Sequence, residues 1–330
     1  MRILGRADLE RVLTPADVIK AVESAFRENA AGRSAALPRA VLPMGSGGFF
    51  LSMVGALPRQ RALGTKLITV VPKNRSRRLP TVHAVYVLTE PETGVPLALM
   101  EAGFLTAIRT GAASALAARY LARKESAAVA CFGAGIQARY QLLCLQALFP
   151  LARVSLVGRD PERARVFAEV MTQDMGVPVE PTRDRRAAVA GADIVTCATT
   201  SPTPVFDGRD VRPGAHVDAV GAFRPNTREV DTGLVRRAHV VVDTYEGAWE
   251  EAGDVLIPIK AGAITRRHVR AELAELVSGK KPGRPSRDAV TFFKSVGFAL
   301  EDTATARLAY DRAVAQNIGT EVTLLSEASR

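Results

Sequence analysis

The chain has 330 residues, 47% of them apolar and 24% charged, with a formal net charge of +10. That length allows one large domain or two ordinary ones around a substantial core, and the composition excludes disordered and fibrous classes. Aromatic residues are only 5% and do not interleave with the basic runs "KNRSRRLP" (73–80) and "GKKPGRPSR" (279–287), so these read as solvated loops and no nucleic-acid partner is expected.

The opening segment "MRILGRADLERVLTPADVIKAVESAF" lacks a signal-peptide core, and no later stretch is apolar enough to span a membrane, so a cytoplasmic protein without a membrane partner is expected. Cys131, Cys144 and Cys197 are scattered without metal-type spacing; they read as buried apolar residues, and no metal site is expected. In "TPADVIKAVESAFRENA" (14–30), Thr14 is a natural N-cap, Pro15 suits the first helical position, and Ile19, Val22 and Phe26 share one face. Strand-like segments follow at 48–57, 63–71, 81–89 and 95–102, the last two flanking the turn sequence "EPETG" and so predicting a hairpin. An Ala-rich helix at 104–122 carries small residues that permit close packing.

Beyond residue 120 strands and helices alternate. Candidate strands are "AAVACF", "RVSLV", "VPVE", "DIVTCA", "HVDAV" and "HVVVD", a rhythm that predicts an α/β fold with a Rossmann doubly wound, mostly parallel sheet. The chain closes on a long helical pattern at 298–316. Gly133 and Gly135 follow the first of these strands and open a helix, with Ala138 completing the G-x-G-x-x-A form of the dinucleotide fingerprint. Such a turn brings backbone and a helix N-terminus up to a pyrophosphate. At the end of the next strand, Gly158 stands where a ribose-binding acid would be expected, and Arg159 can pair with a 2′-phosphate. NADP(H) is therefore favoured, with NAD(H) as the alternative. Asp160 before Pro161 reads as an N-cap.

The segments "LGTKLITVVPKN", "LPTVHAVYVLTEPETGVPLALMEAGFLTAIRTGAASALAARYL", "FGAGIQAR", "AVGAFRPNTREVD", "EEAGDVLIP" and "FKSVGFALED" resemble, in order, those of the ornithine cyclodeaminase/mu-crystallin family, from about residue 36 to 302. The likeness is greatest to its ketimine reductase and mu-crystallin branch. The resemblance implies a smaller α/β substrate-binding and homodimerisation domain, residues 1–119 completed by 297–330, beside a dinucleotide-binding domain at 120–296. It also implies NAD(P)-linked chemistry: cyclising deamination, reduction of cyclic ketimines, or oxidation of amino acids. By the same resemblance Arg39 and Arg109 bind a substrate carboxylate, Lys66 is the active-site lysine, and Thr81 lies near the substrate. Ile136 and Gln137 match the pyrophosphate-contacting pair, Thr199, Val220 and Gly221 the segments around adenosine and nicotinamide, and Ser295 and Val296 a nicotinamide-side loop.

One departure bears on the reaction. Where cyclodeaminases carry a catalytic Asp in Gly-Gly-Asp-x-Pro, this chain reads Gly221-Ala222-Phe223-Arg224-Pro225. A phenyl ring moves no proton, and general acid–base groups contribute about 10²–10⁴-fold, so ornithine cyclodeamination is not expected. Reduction of a 1-pyrroline-2-carboxylate or 1-piperideine-2-carboxylate type ketimine remains. The alternatives are an open-chain amino acid dehydrogenase and a mu-crystallin-like NADP(H)-binding protein without turnover.

Overall fold

Local chemistry starts the first elements where the sequence places them. The Thr14 hydroxyl accepts from the Asp17 N–H, and the helix Pro15–Ala30 buries Val18, Ile19, Val22 and Phe26. The strands Val82–Thr89 and Pro96–Glu101 pair antiparallel. Their turn is tied by the Glu90 carboxylate, which accepts from the Glu92 and Thr93 N–H groups and from the Thr93 hydroxyl. The computed structural model describes residues 1–45 and 47–324. They divide into one unit of Met1–Arg109 with Phe298–Arg330 and a second of Thr110–Gly297. This division falls inside the helix Ala102–Leu121, ten residues before the 119/120 boundary that the resemblance implies.

In the first unit an eight-stranded sheet runs in the order Thr320–Glu321, Arg2–Leu4, Pro96–Glu101, Val82–Thr89, Ala62–Val70, Gly48–Leu57 and Ala35–Ala36, with Ala40–Met44 also on Gly48–Leu57. All pairs are antiparallel except Arg2–Leu4 with Pro96–Glu101. The helix Ala299–Ala315 packs on the middle strands of this sheet and on Pro15–Ala30. Side chains alternate along Ala62–Val70, so Ala62, Gly64 and Lys66 share the buried face.

The second unit is a wholly parallel eight-stranded sheet, two strands more than the six expected. Thr291–Lys294 inserts between His216–Ala219 and His239–Val242, and Val269–Glu272 forms one edge. Thr291–Lys294 is buried at every position, and a four-residue run without alternation carries no period to read. The order reverses between Ala128–Phe132 and Ile194–Cys197, the switch point at which such sheets bind ligands. The three cysteines are buried and unbridged. Among the described residues no helix is long and apolar enough to cross a membrane.

The small residues of Ala102–Leu121 have a specific use within the second unit. A Cβ on Gly111 would collide with the Tyr140 carbonyl of the helix Ile136–Gln146 and sit 3.1 Å from the Cys144 sulfur. Gly→Ala inside a helix ordinarily gains about 1 kcal/mol, whereas forcing an extra methyl into a packed core costs about 1–3 kcal/mol. Gly111→Ala is therefore expected to lower the urea midpoint, against the propensity rule; an unchanged or higher midpoint would show that the helices can part freely.

Candidate active site

The first unit buries an uncommon amount of charge under one helix turn. Lys66 is wholly buried, and its Nζ donates to Asp302 Oδ2 at 2.7 Å. Arg109, 4% exposed, donates from Nε to Asp302 Oδ1 at 2.9 Å and from Nη1 to Glu301 Oε2 at 2.7 Å. Asp302 thus gives one oxygen to each cation, while Nη2 is the Arg109 nitrogen that neither carboxylate engages. Tyr86, opposite Lys66 across the strand pair, donates its hydroxyl to Thr303 Oγ1 at 2.9 Å. Burial pushes the Tyr86 phenol up, so it stays neutral.

Burial also pushes Lys66 down, to about 7; Arg109 and Arg39 push the same way and Asp302 opposes them. Desolvation penalises the ammonium, and only the partner carboxylate holds it. Arg109, between two carboxylates, is held up despite its burial. Arg39, half-buried nearby, adds a third basic side chain to the two cations and two carboxylates. Thr81 is half-buried just before Val82–Thr89, its carbonyl accepting from the Val71 N–H. Asp302 and Glu301 escape sequence reading: Lys66 and Asp302 are 236 positions apart, and a helical "ED" pair ordinarily faces water.

In the second unit the nucleotide-type residues gather at the carboxyl ends of adjacent strands. Gly133 has φ +120°, open to glycine but strained for other residues, and a Cβ there would lie 2.5 Å from the Ala198 carbonyl. Gly135 begins the helix Ile136–Gln146 with no side-chain cap, and a Cβ on it would meet nothing nearer than Arg163 Nη2 at 4.0 Å. That open space and the uncapped N–H groups fit a pyrophosphate. Ile136 is 44% exposed, and the buried Gln137 Oε1 lacks a hydrogen-bond partner among the described residues. Gly158 packs against Ala164, where a Cβ would come within 2.8 Å. Arg159 is exposed and without an ion pair among the described residues, while Asp160 caps the next helix through the Glu162 and Arg163 N–H groups. Arg163 Nε holds the Ala134 carbonyl at 3.1 Å, a basic contact on the turn that the motif does not include.

Three buried carboxylates outside the motif fix the remaining loops. Glu229 Oε1 accepts from the Thr199 N–H and hydroxyl at 2.6 and 2.7 Å, and its Oε2 from the Gly221 and Ala222 N–H groups at 2.7 and 3.2 Å. The two loops run so close that a Cβ on Gly221 would collide with the Thr199 backbone. Asp254 accepts from the Glu229 and Val230 N–H groups and pairs at 2.8 Å with buried Lys294, which also donates to the Ala222 carbonyl. Asp243 Oδ2 accepts from the Ser295 hydroxyl and from the Val296 and Gly297 N–H groups. The Val220 N–H is held by the Cys197 carbonyl. Phe223, 39% exposed, follows this stapled turn, with the Arg224 guanidinium 5.8 Å from its ring centre.

The sequence profile of the ornithine cyclodeaminase/mu-crystallin family matches residues 2–317. The chain belongs to that family. It is 35% identical over 324 residues to the Delta(1)-pyrroline-2-carboxylate reductase of Bacillus cereus, covering 98% of this chain and 99% of the relative. The solved Delta(1)-pyrroline-2-carboxylate reductase of Thermococcus litoralis, in complex with NADH and L-proline, superposes with a TM-score of 0.95 at 41% identity, covering 98% of this chain and 100% of that one. An archaeal alanine dehydrogenase dimer with bound NAD superposes with a TM-score of 0.92 at 33% identity, covering 98% and 99%. Family membership carries the two-part α/β architecture with a nucleotide-type parallel sheet.

Glu229→Ala would strand the Thr199, Gly221 and Ala222 N–H groups, each at about 1–3 kcal/mol when buried without a partner. Urea denaturation is expected to show a loss of at least about 3 kcal/mol by that count; a loss below about 1 kcal/mol would mean that water replaces the carboxylate at little cost.

Proposed function

We propose that this protein reduces a cyclic ketimine carboxylate, of the 1-pyrroline-2-carboxylate or 1-piperideine-2-carboxylate type, to the cyclic L-amino acid with NAD(P)H. The observation that carries this reading is the Lys66–Asp302–Arg109 cluster, a buried lysine held by a carboxylate at fixed spacing from a guanidinium. Arg39 and the outer edge of Arg109 would hold the substrate carboxylate and orient the C=N bond. Lys66, as an ammonium, would protonate the imine nitrogen. A bound reduced nicotinamide supplies the hydride. Phe223 offers no group to expel ammonia, which sets the reading apart from cyclodeamination. Similarity to two pyrroline-2-carboxylate reductases supports it. Similarity to the alanine dehydrogenase favours a second reading, oxidation of an open-chain amino acid by the same residues.

The cofactor is of the nicotinamide dinucleotide class, held by Gly133, Gly135, Ile136, Gln137, Thr199, Val220, Gly221, Ser295 and Val296. The two solved relatives described above carry the non-phosphorylated form. The preference for NADP(H) rests on Gly158 in place of an acid and on exposed Arg159, which makes no ion pair among the described residues. A cytoplasmic homodimer fits exposed apolar residues of the first unit, among them Leu37 at 64% and Leu42 at 63%, and the dimer described for the archaeal relative.

Three measurements test the reading. NADPH or NADH consumption is expected with cyclic ketimine carboxylates, and no proline or ammonia from ornithine; turnover confined to open-chain amino acids would transfer the assignment to the second reading. Arg159→Ala is expected to weaken NADPH binding much more than NADH binding, and equal losses would remove the NADP(H) preference. Because Lys66 is pushed down to about 7, ketimine reduction, which needs its proton, is expected to fall as pH rises through 7. The reverse oxidation, which needs the free amine, is expected to rise over the same range. Parallel limbs in the two directions would exclude Lys66 as the proton carrier.

A further inference from the structure

We propose that Asp302 is the positioning residue that keeps Lys66 an ammonium and holds it at fixed spacing from Arg109. The geometry is that of a bridge: Oδ2 lies 2.7 Å from Lys66 Nζ and Oδ1 2.9 Å from Arg109 Nε. Two cations are thereby held within one carboxylate's span in a region closed to water, which is tolerable only with the anion between them. Every group facing Lys66 enters this balance. From the helix Ala299–Ala315 come Asp302 and, through Arg109, Glu301; from Ala102–Leu121 comes Arg109; from the segment before Ala40–Met44 comes Arg39; from Val82–Thr89 comes neutral Tyr86. Among them Asp302 is the group that favours charge on Lys66.

The bridge is asymmetric in what it controls. A guanidinium keeps its proton in any protein environment, and Glu301 holds Arg109 from the other side at 2.7 Å. Lys66 has one carboxylate partner and a proton it can lose. Asn at 302 keeps the shape but turns an NH₂ group toward one of two donors, so the loss falls on the lysine. Asp302 would therefore govern the chemical step, and Glu301, through Arg109, the grip on the substrate.

The kinetic half of this inference rests on the ketimine reading, so the deciding measurement does not use turnover. Protein labelled with ¹³C-lysine is titrated by NMR, and the Lys66 Cε resonance is assigned by its loss in Lys66→Arg. In Asp302→Asn the Lys66 midpoint is expected at least about one pH unit lower, a tenfold change in its charged fraction above the midpoint. Asp302→Glu, which retains the charge, is expected to return the midpoint toward the native value, and Glu301→Gln to leave it within a few tenths of a unit. In kinetics with 1-pyrroline-2-carboxylate, the high-pH limb of kcat is expected to move with the midpoint in Asp302→Asn, while Glu301→Gln raises KM instead. An unmoved Lys66 midpoint in folded Asp302→Asn overturns the proposal. If Asp302→Asn does not fold, Asp302→Glu and Glu301→Gln decide: a Lys66 midpoint displaced by about one pH unit or more in either, where the carboxylate at 302 is kept, overturns it as well. A protein that turns over no ketimine yet shows the midpoint shift would refute the function and leave the bridge standing.

Discussion

Burying charge is expensive unless each ion is matched by another and by hydrogen bonds, and the first unit is organised around that constraint. The turn that opens the helix Ala299–Ala315 carries Glu301 and Asp302 inward, together with Thr303 and Thr305, whose hydroxyls bond back to the Ala299 and Glu301 carbonyls. The first turns of the helix bury these polar groups alongside Ala299, Leu300, Ala304 and Ala306. Its seat on the sheet depends on Lys66 and Arg109 being present to neutralise it, just as the cations depend on it. In the proposed reading, the cluster that would handle the substrate is also the one that docks the helix to its own sheet.

The second unit solves a different problem with the same residue type. Loops at the carboxyl ends of parallel strands must expose N–H groups to a ligand, yet their backbone conformation has to be fixed without it. Glu229, Asp243 and Asp254 do this from behind, accepting in total the N–H groups of Thr199, Gly221, Ala222, Val230, Val296, Gly297 and Glu229 itself among others. Each carboxylate binds donors from a loop other than its own. The arrangement is preorganised, so a ligand meeting these loops has less ordering cost to offset.

What the sequence discloses follows how far apart the interacting residues lie. The Thr14 cap, the turn around Glu90 and Gly94 and the Asp160 cap each rest on partners within a few positions and are legible, and the glycine turn at 133 is legible from its motif. The family resemblance points to Lys66 but not to its partner, because nothing local links position 66 to position 302. The strand Thr291–Lys294 was hidden for the same reason: its place between His216–Ala219 and His239–Val242 is set by pairing across the sheet. The carboxylate staples were hidden too. "NTREVD" reads as a polar loop until the fold turns Glu229 inward and leaves it fully buried.

The replacement of an acid by Phe223 would matter less if a neighbouring carboxyl could take over its proton chemistry, and the structure accounts for the candidates one by one. Asp231 is spent on the N–H groups of Gly208 and Leu234, capping the helix Thr232–Arg237. Glu229 has both oxygens occupied by two donors each; burial pushes its carboxyl up, but Lys294 and the Thr199 donors pull the other way, and protonation would break one of those bonds. Burial pushes the Asp218 carboxyl up, to about 7. It is fully buried within the strand His216–Ala219, with the Thr196 hydroxyl donating to it, below the level of the loops. A proton held there serves the sheet and not a ligand. A proton for hydride transfer to an imine would then have to come from outside this group of acids, and in the function proposed above Lys66, its Nζ held by Asp302, is the side chain that supplies it.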